Sequence, residues 1–132
     1  MDRMMEGDKG YRIYFEDRGD YLFVRIEGEF DSVTISNSYW REIGEKCEEL
    51  KPRRLFVEED LRQQVDSVAD IYQVASEIFH RSLFGIKIAF FDTQPDHHQK
   101  NIFAELVARN MGLNVRIFDN KDAAMDWLMS EQ

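Results

Sequence analysis

A single cysteine, Cys47, stands in the 132-residue chain. It has no second thiol to pair with, so an internal disulfide framework and a thiolate metal cluster are both excluded. No apolar run approaches the length of a membrane span, and Met1-Asp2-Arg3-Met4-Met5 lacks the hydrophobic core of a signal peptide. A cytoplasmic location is the expectation. Basic residues are scarce: 17 Lys and Arg stand against 26 Asp and Glu, a net charge of −9. Such a surface repels phosphates and anionic lipid, which argues against nucleic acid and membranes as partners. A protein partner or a bound cation remains compatible with it. There is no internal repeat and no low-complexity segment, and the length is that of one domain with its own core.

What the chain does have is patterned hydrophobicity. Residues 1–10 are polar, carry Gly7 and Gly10, and are expected to form a loose tail, leaving 11–130 as the domain. Tyr11 to Phe15 and Tyr21 to Ile26 are rich in aromatic and branched residues, with Asp17-Arg18-Gly19-Asp20 between them. This is a β-hairpin signal, the glycine supplying the positive φ of the turn. Ile35, Tyr39, Trp40, Ile43, Cys47 and Leu50 then recur at helical spacing until Pro52. Cys47 falls on that stripe and reads as a small buried hydrophobe. Arg53 to Glu58 has the shape of a buried strand, followed by a polar loop, Glu59 to Gln64.

Val68, Ile71, Tyr72, Ala75, Ile78 and Phe79 mark a second helix, with Asp66 and Ser67 placed to cap it. Ile86 to Phe91 is the next strand. Pro95 opens a third helix carrying Ile102, Phe103, Leu106 and Val107, which Gly112 stops. Asn114 to Phe118 is the last strand. Asp119 and Asn120 are placed to cap a final helix whose Ala123, Ala124, Trp127 and Leu128 face inward. The order β-β-α-β-α-β-α-β-α predicts an α/β domain with a mixed, mainly parallel five-stranded sheet flanked by helices.

That order, with Gly28-Glu29-Phe30-Asp31 after the second strand and Pro52-Arg53-Arg54-Leu55-Phe56-Val57 leading the third, resembles the STAS domain of bacterial anti-sigma-factor antagonists. The stretch from Arg116 to Leu128 looks like a divergent STAS-like branch that also shows likeness to small-lipid carriers. The resemblance implies a regulatory, protein-binding domain without catalysis or cofactor. Regulatory relatives are phosphorylated on a Ser or Thr at the start of the second helix, commonly in Asp-Ser-Ser/Thr-Gly-Leu. Here the run is Asp66-Ser67-Val68-Ala69-Asp70. Literal matching puts Val68 at the acceptor position; matching by helical phase puts Ser67 there. Neither restores the glycine and leucine, which argues against the switch.

The rest of the chemistry is sparse. No glycine-rich phosphate cradle, nucleophile elbow or triad spacing is present, so no enzyme is expected. The partner-binding face is expected around the start of the second helix and the loop after the fourth strand: Asp60, Asp66, Ser67, Asp92 and Thr93. A homodimer through an exposed apolar patch is a further possibility. Phe79, Phe84 and Phe103 are candidates for an apolar crevice holding a lipid-like ligand. Loops beyond the carboxyl ends of the parallel strands gather Asp31, Glu58 to Asp60, Asp92 with Asp96, and Asp119, a rim where a hard divalent cation could sit. No residue is assigned as a metal ligand: His97 and His98 are adjacent and diverge on a helix. His80 reads as a surface or capping group.

Overall fold

The computed structural model describes residues 9–64 and 80–131. The helix read at Asp66 to Phe79, with the candidate phosphoacceptor Ser67, lies outside the described residues, as does most of the N-terminal tail.

The aromatic pair of strands forms as expected. β1 (Arg12–Asp17) and β2 (Leu22–Asp31) run antiparallel, Ile13 opposite Ile26 and Phe15 opposite Val24. Gly19 turns the hairpin with φ +86°. α1 (Val33–Leu50) follows, opened by Ser32, whose side chain accepts from the Ile35 N–H. β3 (Arg54–Gln64), β4 (Lys87–Asp92) and β5 (Asn114–Phe118) then add in parallel, giving a five-stranded sheet in sequential order β1-β2-β3-β4-β5. α2 (His98–Asn110) links the last two strands, entered through a 3₁₀ turn at Pro95–His97, and α3 (Lys121–Met129) closes the chain. Gly112 leaves α2 at φ +106°. Asn120 is the α3 cap, accepting from the Ala123 N–H at 2.8 Å.

Each parallel step moves to the neighbouring strand in the same direction, so right-handed crossovers put their helices on one face of the sheet. α1 and α2 share that face. Tyr39, Trp40, Ile43 and Cys47 of α1 pack with Val24, Ile26, Leu55, Val57, Ile88 and Phe90. α3 covers the other face, where Ala124 and Leu128 meet Phe23, Phe56 and Ala89. Leu55 and Val57 point to one core and Phe56 to the other, the period-two alternation of a strand buried on both sides.

Three expectations need correcting. Glu59 to Gln64 is no loop: β3 runs on to Gln64, pairing Glu27 with Asp60 and Gly28 with Leu61. The alternation Leu55, Val57, Glu59, Leu61 continues the strand's inward face through a glutamate. Ala123 is exposed on α3, and its neighbours Ala124 and Leu128 do the burying. Leu50 is exposed at the end of α1, where Lys51 takes a left-handed conformation (φ 50°) that ends the helix before Pro52. Lys9 and Gly10, which lead into β1, are both exposed. The Lys9 ammonium reaches Glu42 at 3.3 Å, and a Cβ on Gly28 would lie 2.8 Å from the Gly10 carbonyl.

Candidate functional site

The pleat of β3 divides the acidic rim in two. Glu58 and Asp60 point to the α3 face, and Glu59 points to the α1 face. On the α3 side Arg25 of β2 gathers the acids. Its guanidinium donates to Glu58, to Asp60 at 3.0 Å and to Glu27 at 3.2 Å. Lys121, at the start of α3, pairs with the remaining Glu58 oxygen at 3.0 Å. Asp60 also accepts from Thr93 Oγ1 at 2.8 Å and from Gln94 Nε2 at 3.1 Å. Those hydrogen bonds, with the nearby charges of Arg25 and Arg62, hold its carboxyl below the ordinary carboxylate range, against the opposing effect of burial. Asp60 and Thr93, two of the expected partner-face residues, are thus joined between β3 and the loop that leaves β4.

On the α1 side lies a second, buried set. Glu59 and Asp92 are register partners across the β3–β4 ladder, 2% and 4% exposed. Asp92 collects donors: the Gln94 N–H at 2.9 Å, Asn101 Nδ2 at 2.7 Å, and His97 Nδ1 at 3.2 Å. Glu59 is the reverse. Tyr39 donates its hydroxyl to Oε2, while Oε1 has no hydrogen-bond partner among the described residues. Asp31, buried at the end of β2, accepts from Ser36 Oγ at 3.0 Å and adds a third carboxyl to the cluster. Burial, with Asp31 and Asp92 close by, pushes the Glu59 carboxyl well above its usual range. Burial and the neighbouring acids thus favour its protonated form over the carboxylate.

The sequence-predicted residues therefore separate. Asp92 was expected at a binding face and sits inside, while Thr93 and Asp60 stay half-buried at the rim. Asp66 and Ser67 lie outside the described residues. Asp96 and Asp119 are exposed. Of the crevice candidates, Phe79 lies outside the described residues. Phe84, 41% exposed, lines an open hollow with Cys47, Pro52 and Arg81, and half-buried Phe103 is no part of that lining. His80 caps the 3₁₀ turn Arg81–Leu83 by accepting from the Ser82 N–H. Cys47 is buried, and burial pushes its thiol up to about 11. Sequence reading missed Tyr39, Asn101 and Arg25 as site residues. The signal for Glu59 was its place between Val57 and Leu61; nothing local marked the other three.

No family model matches the chain, and no curated protein matches its sequence. Among solved structures it is similar to an anti-sigma factor antagonist from Mycobacterium paratuberculosis. The two align with a TM-score of 0.62 at 10% identity, over 92% of this chain and 97% of that one. The fold is STAS-like, as the sequence resemblance implied. No helix among the described residues is long and apolar enough to cross a membrane.

Proposed function

We propose that this chain is a non-catalytic, regulatory STAS-like domain that works by binding a protein partner. The observation that carries the reading is the fold: its structural neighbour is by name an antagonist of an anti-sigma factor, a protein that acts on a protein. The rim of β3 and β4 supports a binding role there. Asp60, Thr93 and Gln94 are held in one hydrogen-bonded set where β4 ends beside β3, with exposed Arg62 next to it. A preformed, partly exposed polar set of this kind loses little freedom on docking. The proposed face is Asp60 and Thr93 with Asp66 and Ser67 at the start of the adjoining segment.

The test is affinity capture from cells of the source organism with the wild-type chain, an Asp66→Lys/Ser67→Arg variant, and a control altered before the start of β3, at the opposite end of the strand, Lys51→Glu/Arg53→Glu. A partner captured by wild type and control and lost by the rim variant supports the proposal. Identical profiles for all three count against the face. A chain that captures only itself points to a homodimer instead. Intact mass of chain purified from the same cells reads whether Ser67 carries phosphate.

A further inference from the structure

The buried cluster under α1 has no part in a surface-binding role, yet it is an expensive thing to build. Three carboxyl groups and an imidazole, from Asp31, Glu59, Asp92 and His97, are each 5% exposed or less. Taking charged groups out of water carries a large desolvation penalty unless partners compensate. An apolar set of similar volume would fill the space without that penalty. The cluster is also unevenly satisfied: Asp92 has donors on both oxygens, while Glu59 Oε1 has none among the described residues.

We propose that Glu59, Asp92 and His97 form a buried binding site for a first-row divalent cation, zinc in preference to manganese, with Asp31 as a further carboxylate beside it. One ligand atom from each of the three lies within 4.8 Å of the others. Donors sharing one ion through bonds of about 2.1 Å stand roughly 3–4.2 Å apart, so modest side-chain rotations close the set. Each residue is well anchored for the task. Glu59 and Asp92 leave adjacent strands at the same level and on the same face. His97 sits in the 3₁₀ turn that Pro95 begins, which brings its ring back over the end of β4. Tyr39 and Asn101, bonded to Glu59 and Asp92, orient the carboxylates from behind, as groups around metal ligands do.

The donor chemistry selects the ion. Mixed carboxylate and imidazole with no thiolate suits zinc, manganese or ferrous iron and disfavours cuprous copper. Magnesium prefers a near-octahedral oxygen shell and gives up its water reluctantly, so an imidazole in a buried pocket is a poor offer to it. Among zinc and manganese, the Irving–Williams order ranks zinc higher. The unpartnered Glu59 oxygen is where a cation adds what the protein does not supply. A proton on Glu59 is the competing occupant.

The experiment titrates zinc, manganese and magnesium into the full chain after chelator treatment, following heat of binding and melting temperature. One zinc per chain is expected, with manganese weaker and no saturable magnesium binding, and the bound ion should raise the melting temperature. Glu59→Gln, which keeps the shape, should weaken zinc at least tenfold, whereas His98→Ala, on the neighbouring position, should leave it unchanged. Because a core variant can fail to fold, paramagnetic broadening by manganese is measured on the wild-type chain. Loss of signal should centre on Tyr39, Glu59, Asp92 and His97. No saturable binding of zinc at millimolar ion would overturn the site, and so would broadening centred elsewhere. Zinc binding that survives Glu59→Gln and is lost in His98→Ala would also overturn it, marking a surface contact.

Discussion

Glu59 and Asp92 face each other across the β3–β4 ladder as direct register partners, both buried beneath α1. Two carboxyl groups so placed cannot both ionise without strong repulsion, and their surroundings assign the roles. Donors from the Gln94 backbone, His97 and Asn101 converge on Asp92. Glu59 receives one hydroxyl from Tyr39 and is driven toward its neutral form by burial and by the nearby acids.

That assignment has a pH signature in the metal-free chain. The folded-state pKa of Glu59 is raised, while in the unfolded chain it lies near the ordinary value of about 4.3. The folded state therefore binds the extra proton at intermediate pH. The contribution is fully present below about pH 4 and is lost as pH rises toward the folded pKa. Glu59→Gln removes a titrating group without removing bulk, so denaturant melts should show it gaining stability relative to wild type as pH rises from about 5 to 8. The relative gain is bounded at about 1.4 kcal/mol per pH unit. A constant difference across that range would contradict a raised pKa.

Arg25 holds three acids on the opposite face, one of them Glu58, whose side chain is 10% exposed. Arg25→Met should destabilise the fold by about 1–3 kcal/mol, because it strands partly buried carboxylates. Pairing it with Glu58→Leu should recover part of that loss. Urea melts of the two single variants and the double variant measure the coupling.

Gly44 has no room to grow. A Cβ there would lie 2.4 Å from the His80 Cβ, and His80 is fixed by its bond to the Ser82 N–H. Gly44→Ala should cost about 1–3 kcal/mol despite the better helix propensity of alanine, the signature of overpacking. A thermal melt at or above the wild-type temperature would show that the His80 turn yields freely.

Cys47 is 1% exposed, with its thiol pushed up to about 11 by burial. A thiol reagent at pH 8 should label it only at the rate of global or local opening, and at once in denaturant. Rapid stoichiometric labelling of the native chain would contradict this packing.

Much of the fold was legible because its signals are local. The Asp17-Arg18-Gly19-Asp20 turn, the α1 stripe around Tyr39 and Ile43, and the Asn120 cap each need only neighbouring residues to be read. The site was harder, and β3 shows why. Glu59, Asp60, Arg62 and Gln63 look like a polar loop because charge dominates the window, yet the inward positions Leu55, Val57 and Leu61 keep strict alternation with Glu59 among them. Read that way, Glu59 is a buried acid in need of partners. Which partners it has depends on register: Asp92 is 33 positions away, and Tyr39 comes from a helix whose rotation no single window fixes. Arg25 was invisible for the same reason, since Glu58 and Asp60 meet it only once β2 and β3 are aligned.

The measurement that bears most directly on the buried site is the protonation state of Glu59 itself. The side-chain carboxyl ¹³C signal, assigned by comparison with Glu59→Gln, is followed by NMR in the chelator-treated chain from about pH 4 to pH 9. The expected result is a titration displaced well above the range of the exposed glutamates. A carboxyl that titrates with those glutamates, near the ordinary value of about 4.3, would contradict the arrangement of Glu59, Asp92, Asp31 and Tyr39 described above.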